Sequence, residues 1–285
     1  MRGNPSHYDL SAQPTLQGTL ALLAEGRHTP LAGGTELMVA LAAGRLPHKP
    51  LLSIAHLREL RFIDVQPDRI VIGSGTTFSD LRRHAELAAE LPLLARAASW
   101  TGSIANQNRG TLGGNLVNAS PAADSPPALL CYEAELTLIS AAGIRTMLYT
   151  DFHLAYKQTA LRPDELLYSV QVPRAFAGYT SYLRKVGTRN AQAISKIALA
   201  VLVKRDREVL QDVRIAAASL SEIPMRCTAT EKALIGQTLG PSTLSGARAA
   251  LASEVKPIDD IRSTASYRAA VAGNLLEECL SLLDA

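Results

Sequence analysis

Between Thr101 and Pro127 the chain abandons the apolar periodicity that organises the rest of it. The stretch holds four glycines, four asparagines and three prolines, residues that favour turns over helices and strands. A long loop of this kind inside a compact domain is either functional or disordered. Leu112, Leu116 and Val117 within it argue against disorder. An ordered, glycine-rich stretch needs partners for its backbone N–H groups, and a pyrophosphate or a polyol chain would serve. The competing reading is an omega-type loop packed on its own side chains.

Two other glycine segments compete with it. In Pro30-Leu-Ala-Gly-Gly-Thr-Glu-Leu37 a short strand, Thr29 to Ala32, delivers two glycines into a helix expected from Glu36 to about Ala43. Such a turn exposes backbone N–H groups and admits a phosphate with no Cβ in the way, and Thr35 would cap the helix or bond the anion. An ordinary strand-to-helix turn has the same spacing. Ile72-Gly-Ser-Gly-Thr-Thr-Phe78 is a partial dinucleotide fingerprint, but Phe78 stands where a third small residue is required. The helical stretch after it supplies no second strand ending in an acidic residue, so the dinucleotide reading fails and a plain turn remains.

Composition closes off other chemistries. The 285 residues carry 29 basic and 26 acidic side chains, a net +3, which excludes a strongly basic nucleic-acid binder and an acidic disordered tail. The longest purely apolar run, Ile197 to Val203, is far short of the ~20 residues of a membrane helix. The N-terminal MRGNPSHYDL has no signal-peptide core, so the expected compartment is the cytoplasm. Cys131, Cys227 and Cys279 are lone and widely spaced, too few for a disulfide framework or an iron–sulfur cluster. The histidines at 7, 28, 48, 56, 84 and 153 form no HxH or HExxH pattern. His84-Ala85-Glu86 lacks the PCxxC of a zinc deaminase, and no GxSxG elbow, Walker A loop or EF-hand occurs. No metal site is expected, and any redox or group-transfer chemistry must come from a bound organic cofactor.

The remaining periodicities predict an α+β chain. A helix is expected over 15–24 and strands at Leu51–Ile54 and Arg69–Ser74. Thr77-Phe78-Ser79-Asp80 is a capping box that should open a helix running to Glu90, followed by another over Leu93–Trp100. Ser125 and Pro126 read as N-cap and first residue of a short helix. Leu136–Ser140 and Arg145–Tyr149 read as a hairpin, and Leu166–Val172 as a strand ending at Pro173. A connector near 174–180 leads to strands Lys196–Lys204 and Val209–Leu220, then helices at about 229–237, 243–254 and 264–283.

Five segments occur in order: LAGGTEL, IGSGTTFSDL, NRGTLGGNLVNASPAADSPPALL, KQTALRPDELLYSVQVP and RKVGTRNAQAISKIALA. Together they resemble the FAD-binding medium subunit of molybdenum hydroxylases, the xanthine dehydrogenase and carbon monoxide dehydrogenase family, over nearly the whole chain. The resemblance implies a two-lobed FAD-binding domain of the vanillyl-alcohol oxidase (PCMH) type over residues 1–176, with lobes of about 1–55 and 56–176. It implies a small C-terminal α+β domain of the carbon monoxide dehydrogenase flavoprotein type over 177–285, an antiparallel sheet with helices. By position, Pro30, Leu31, Ala32, Gly33, Gly34, Thr35, Glu36 and Leu37 would wrap the pyrophosphate. Thr111, Leu112, Gly113, Gly114 and Asn115 would form a second phosphate and ribityl cradle with Asn118 nearby. Asp124 would bond a flavin-side hydroxyl, where its alternative is an exposed carboxylate before a Pro-Pro turn. Leu167 would pack on the isoalloxazine, where its alternative is plain core. Lys185 would lie near the ring and favour negative charge on it, its alternative being a solvated lysine. Trp100 and Thr101 match a less fixed position and are left out. Family loops differ at the position of Glu36.

No histidine or cysteine lies in either cradle, so FAD is expected to be non-covalent, and with no cysteine-bearing insertion it would be the sole redox centre. The molybdenum cofactor and iron–sulfur clusters belong to partners: a small iron–sulfur subunit and a large molybdenum subunit, as a dimer of heterotrimers. Electrons would cross the iron–sulfur centres to FAD and leave to NAD or another acceptor. No acid–base dyad is needed in this chain, since the redox chemistry is the cofactor's, and the substrate is set in another subunit. Two other classes stay open: a self-sufficient flavin oxidase or dehydrogenase of the same fold, and a module that has lost FAD and serves only for assembly.

Overall fold

The computed structural model describes residues 3–189 and 192–284. Met1 and Arg2 of the N-terminal stretch, Asn190 and Ala191 of RKVGTRNAQAISKIALA, and Ala285 lie outside the described residues. The first lobe alternates strand and helix: β1 (Leu10–Ala12), α1 (Leu16–Leu23), β2 (Thr29–Leu31), α2 (Leu37–Ala42) and β3 (Leu51–Ser53). Its three strands are parallel in the order β1-β3-β2. Successive strand residues point to opposite faces, and β3 shows it. Leu52 packs with Leu20 and Leu23 of α1, while Leu51 packs with Leu41 of α2 and Leu46. The two helices therefore cover opposite faces of the sheet.

The second lobe runs through β4 (Ile63–Val65), β5 (Arg69–Gly73), α3 (Phe78–Arg83), α4 (Ala85–Glu90), α5 (Pro92–Trp100), α6 (Ile104–Arg109), α7 (Leu112–Val117) and α8 (Pro126–Cys131). It continues with β6 (Glu135–Ser140), β7 (Gly143–Leu148), the small hairpin β8 (His153–Ala155) and β9 (Gln158–Thr159), and β10 (Leu166–Pro173). Five strands form an antiparallel sheet in the order β4-β5-β10-β6-β7. Ile70, Ile72, Leu136, Leu138, Val170 and Val172 of this sheet meet Phe78, Leu81 and Leu94 of the helices in one core.

Three local expectations are corrected here. The helix from Thr77 does not run unbroken to Glu90: His84 is extended at φ −77°, ψ 108°, and its Nδ1 accepts the Leu87 N–H at 3.2 Å, capping a second helix. The stretch 101–127 is not an open loop, since α6, α7 and the start of α8 lie in it. Helices of six residues span under two turns, too short for a period to show. Ser125 does precede α8, but its side chain makes no cap; it donates instead to Asn115 Oδ1.

The third sheet consists of β11 (Thr180–Val186), β12 (Ile197–Asp206), β13 (Val209–Ala218) and β14 (Met225–Arg226), antiparallel and in that order. α9 (Thr228–Leu234), α10 (Pro241–Glu254) and α11 (Ala265–Asp284) follow. Burial on both faces explains the apolar run Ile197–Val203. Ile197, Leu199, Val201 and Val203 pack with the C-terminal helices, while Ala200 and Leu202 join the core of the second lobe. α8 lies on that second face, where the Cys131 thiol reaches Ala200 O at 3.4 Å. Beside it Glu133 pairs with both Arg214 and Arg226. No helix among the described residues is long and apolar enough to cross a membrane.

Tyr132, fully buried at the end of α8, joins this packing to hydrogen bonding: its hydroxyl oxygen accepts the Leu93 N–H at 3.1 Å, serving a donor in the first turn of α5. Tyr132→Phe strands that N–H in the core and should cost ~1–3 kcal/mol. Urea denaturation should show a lower midpoint with the same slope. An unchanged midpoint would mean that α5 does not depend on this bond.

Candidate functional site

Ile72–Phe78, which lacks a complete dinucleotide fingerprint, serves as a platform for the long glycine-rich stretch. After β5 the chain turns through Ser74–Thr77, and Ser74 is held by its N–H to Tyr168 O at 2.8 Å. Thr77 and Asp80 form the capping box read from the sequence. The turn's carbonyls receive the next segment: Leu112 N–H donates to Thr76 O at 2.9 Å and Gly113 N–H to Ser74 O at 2.8 Å. Phe78 N–H returns a bond to Gly110 O at 3.1 Å. Thr111 caps α7, its Oγ1 accepting the Gly114 N–H at 3.0 Å.

The first glycine segment packs against the second backbone to backbone. A Cβ on Gly33 would lie 1.8 Å from Arg109 O, so only glycine permits the approach. Gly34 sits at φ +74°, a left-handed turn into α2. Thr35 does not cap that helix: the cap position is Glu36, with no side-chain cap bond, and the Met38 N–H goes to Gly34 O. Among the described residues no chain group accepts the N–H of Gly33, Gly34, Thr35 or Glu36. Four consecutive free donors on partly exposed backbone suit an anion. Pro30 and Leu31 lie in β2, Leu31 and Leu37 pack behind the turn with Leu51, and Ala32 leads into it.

Gly113 and Gly114 have different reasons to lack a side chain. A Cβ on Gly113 would meet Ser74 Cβ at 2.6 Å, so the platform excludes it. A Cβ on exposed Gly114 would meet only Thr111 Oγ1, at 3.0 Å. Packing therefore accounts for Gly113, and the open space above Gly114 is a place a cofactor can occupy. The N–H groups of Leu112, Gly113, Gly114 and Asn115 are already taken by Thr76 O, Ser74 O and Thr111. This segment therefore offers open space at Gly114 and no acidic side chain over Thr111–Asn115, while the free donors that fit the phosphate-bearing part of FAD are those of Gly33–Glu36.

Asp124 is neither exposed nor a simple turn residue. Its carboxylate accepts from Lys185 Nζ at 2.8 Å and from Ser195 Oγ at 2.9 Å, and the Lys185 and Asp124 side chains are each only 11% exposed. Lys185 also donates to Trp100 O at 3.2 Å. Burial pushes the Asp124 carboxyl above the usual carboxylate range, against the pull of Lys185 and Ser195. Lys185 is therefore not the lone cation its sequence position implies but half of a neutral buried pair. The pair adjoins the second cradle through Ser125, whose hydroxyl holds Asn115.

Asn118 accepts from Lys157 Nζ at 2.6 Å, and Lys157 also lies 3.5 Å from Glu36. Leu167 is 4% exposed in β10 and belongs to the core with Leu112 and Leu116. Sequence reasoning missed Ser195 and Lys157, although both stand in quoted motifs, in AISK and at the head of KQTAL. Ser195 is fully buried, and its carbonyl takes a hydrogen bond from the Ser219 hydroxyl at 3.0 Å.

Residues 7–175 match the family model described as the FAD binding domain in molybdopterin dehydrogenase, and residues 182–283 match that of the CO dehydrogenase flavoprotein C-terminal domain. The chain is 29% identical over 266 residues to the glyceraldehyde dehydrogenase medium chain of Sulfolobus acidocaldarius, covering 93% of this chain and 94% of that one. It is 29% identical over 259 residues to the xanthine dehydrogenase FAD-binding subunit of Escherichia coli O157:H7, covering 89% and 88%. A solved structure of carbon monoxide dehydrogenase from Hydrogenophaga pseudoflava superposes with a TM-score of 0.91 at 27% identity, covering 95% of each chain.

Lys185→Met should expose what the pair contributes. An unpaired buried carboxylate costs ~3–5 kcal/mol, and Asp124 will hold a proton to avoid it. The unfolded chain loses that proton near pH ~3.9, so the variant's stability should fall as pH rises above that value toward the raised folded value. Urea midpoints of the wild type and the variant should therefore differ more at pH 8 than at pH 5, and Lys185→Met/Asp124→Asn should remove the pH dependence. Equal midpoints at both pH values would show that the pair is not desolvated.

Proposed function

Because the chain belongs to the family of FAD-binding domains of molybdopterin dehydrogenases, we propose that it is the electron-transfer flavoprotein subunit of a molybdenum hydroxylase complex. In this reading FAD receives electrons from iron–sulfur centres of a small partner subunit, which drains a large molybdenum subunit, and passes them to NAD or another acceptor. The assembly is a dimer of heterotrimers acting in the cytoplasm, and the chain divides at about residue 176. The relatives support the general reading: they include medium chains and FAD subunits of dehydrogenases named for glyceraldehyde, xanthine and carbon monoxide. Substrates that differ this much on similar medium chains are consistent with substrate choice residing elsewhere.

One observation carries the assignment of the binding surface. The free N–H groups of Gly33–Glu36 lie on a backbone pressed against the Arg109–Gly110 peptide bond, next to the capped start of α7. When bound, FAD supplies the redox chemistry; the chain's own part is to hold and orient it. Gly33, Gly34, Thr35 and Glu36 would donate backbone N–H groups to its diphosphate. Thr111–Asn115 would line the second side, with Asn115 oriented by Ser125. The Asp124–Lys185 pair would present a fixed carboxylate and ammonium toward the ring end, with Ser195 fixing the carboxylate's rotamer. Leu167, spent mainly on the core, would support that end from below.

Gly114→Asp tests the surface with little risk to the fold. Gly114 is the third residue of a helix capped by Thr111, where an aspartate can reach back to the cap N–H and favour the helix. Its charge, though, would occupy the space assigned to phosphate. Repulsion at about 5 Å and an effective dielectric of about 20 is several kcal/mol, a loss of ~100-fold or more in affinity. The purified variant should keep the wild-type circular dichroism and thermal midpoint of apo protein and lose its flavin absorbance. A full flavin complement would mean that FAD does not contact this turn.

A further inference from the structure

Glu36 presents a physical difficulty that the binding surface has to solve. It is the only charged side chain in Pro30–Leu37, it is an acid, and it stands in the row of free N–H groups assigned to a diphosphate. An uncompensated carboxylate there repels a dianion. Its partner comes from a remote part of the chain: Lys157, in the two-residue turn between β8 and β9, places Nζ 3.5 Å from Glu36 Oε1 and 2.6 Å from Asn118 Oδ1. One ammonium thus touches both glycine-bearing segments.

The hairpin that carries Lys157 is fixed to α7. His153 is buried, and its Nε2 lies 2.8 Å from Leu116 O, while Lys157 N–H donates to Ala119 O at 3.3 Å. Lys157 and Ala119 both adopt left-handed backbone, at φ +58° and +48°. A hairpin turn in this conformation ordinarily takes glycine or asparagine. Retaining a lysine there accepts a backbone cost of ~1 kcal/mol, which is intelligible if the ammonium is needed.

We infer that Lys157 is a positioning residue for the bound dinucleotide: it neutralises Glu36 and clasps it to Asn118, so that the first glycine segment meets a diphosphate without net negative charge. This rests on the reading of both segments as the FAD diphosphate site. The pair is 37% and 60% exposed at its two side chains, so its effect is electrostatic and open to screening by salt.

The test is a titration of the full-length apo chain with FAD, followed by flavin fluorescence, at low salt and at about 1 M salt. Lys157→Asn, which suits the left-handed backbone, should weaken binding about tenfold at low salt, ~1.4 kcal/mol, and much less at high salt. Lys157→Arg should bind as the wild type does. Lys157→Asn/Glu36→Gln should recover most of the loss, because removing both charges restores neutrality. A double variant as weak as Lys157→Asn, or a loss insensitive to salt, would overturn the charge argument and leave Lys157 a packing residue. If the wild-type chain shows no saturable FAD binding, the diphosphate site itself is wrong and this inference goes with it. Saturable wild-type binding with unchanged Lys157→Asn affinity overturns this inference alone.

Discussion

Two backbone hydrogen bonds, from Leu112 to Thr76 and from Gly113 to Ser74, fix where the glycine-rich stretch lies, and much of the site follows from them. They seat the start of α7 on the end of β5, which brings Arg109 and Gly110 against Gly33 with no room for a side chain. Neutral backbone bonds contribute about 1 kcal/mol each. Their importance here is geometric: they set two main chains at van der Waals distance and leave the N–H groups of the first chain unused. A site built on backbone in this way changes little when surface side chains change.

The sequence made the repeating elements legible and concealed the joints. The unbroken β-branched run Ile70-Val71-Ile72 and the capping box at Thr77 could be read directly, because each puts its physical cause in adjacent residues. The three glycine segments were recognisable as turns, but not that the second supports the third. That relation is carried by carbonyl groups of Ser74 and Thr76, and main-chain acceptors leave no mark in the choice of side chain. The short helices α6 and α7 escaped because six residues do not complete two turns; their caps, Ser103 with Asn106 and Thr111 with Gly114, were the available signal. Lys185 was singled out by resemblance, yet its partner could not be known, since Asp124 reaches it, and Ser195 reaches Asp124, only through the fold.

The third sheet joins the parts more tightly than a connector would suggest. Alternate residues of β12 belong to different cores, so the strand cannot shift register without exposing apolar surface on one side and burying a mismatch on the other. β11 pairs with β12 along its full length and carries Lys185 opposite Ala198. The ammonium is thereby indexed to the doubly buried strand, while its carboxylate partner hangs from the segment ahead of α8. Packing behind β12 and the glycine platform meet at that one pair.

A buried carboxylate and ammonium 2.8 Å apart act on their surroundings as a dipole rather than as a charge. The field of a dipole dies away faster with distance than that of a monopole, and its sign depends on direction. Whatever lies beside this pair therefore feels its orientation, which Ser195 and the Trp100 carbonyl hold. A rotation of the pair by a single rotamer would alter the local potential with no proton gained or lost.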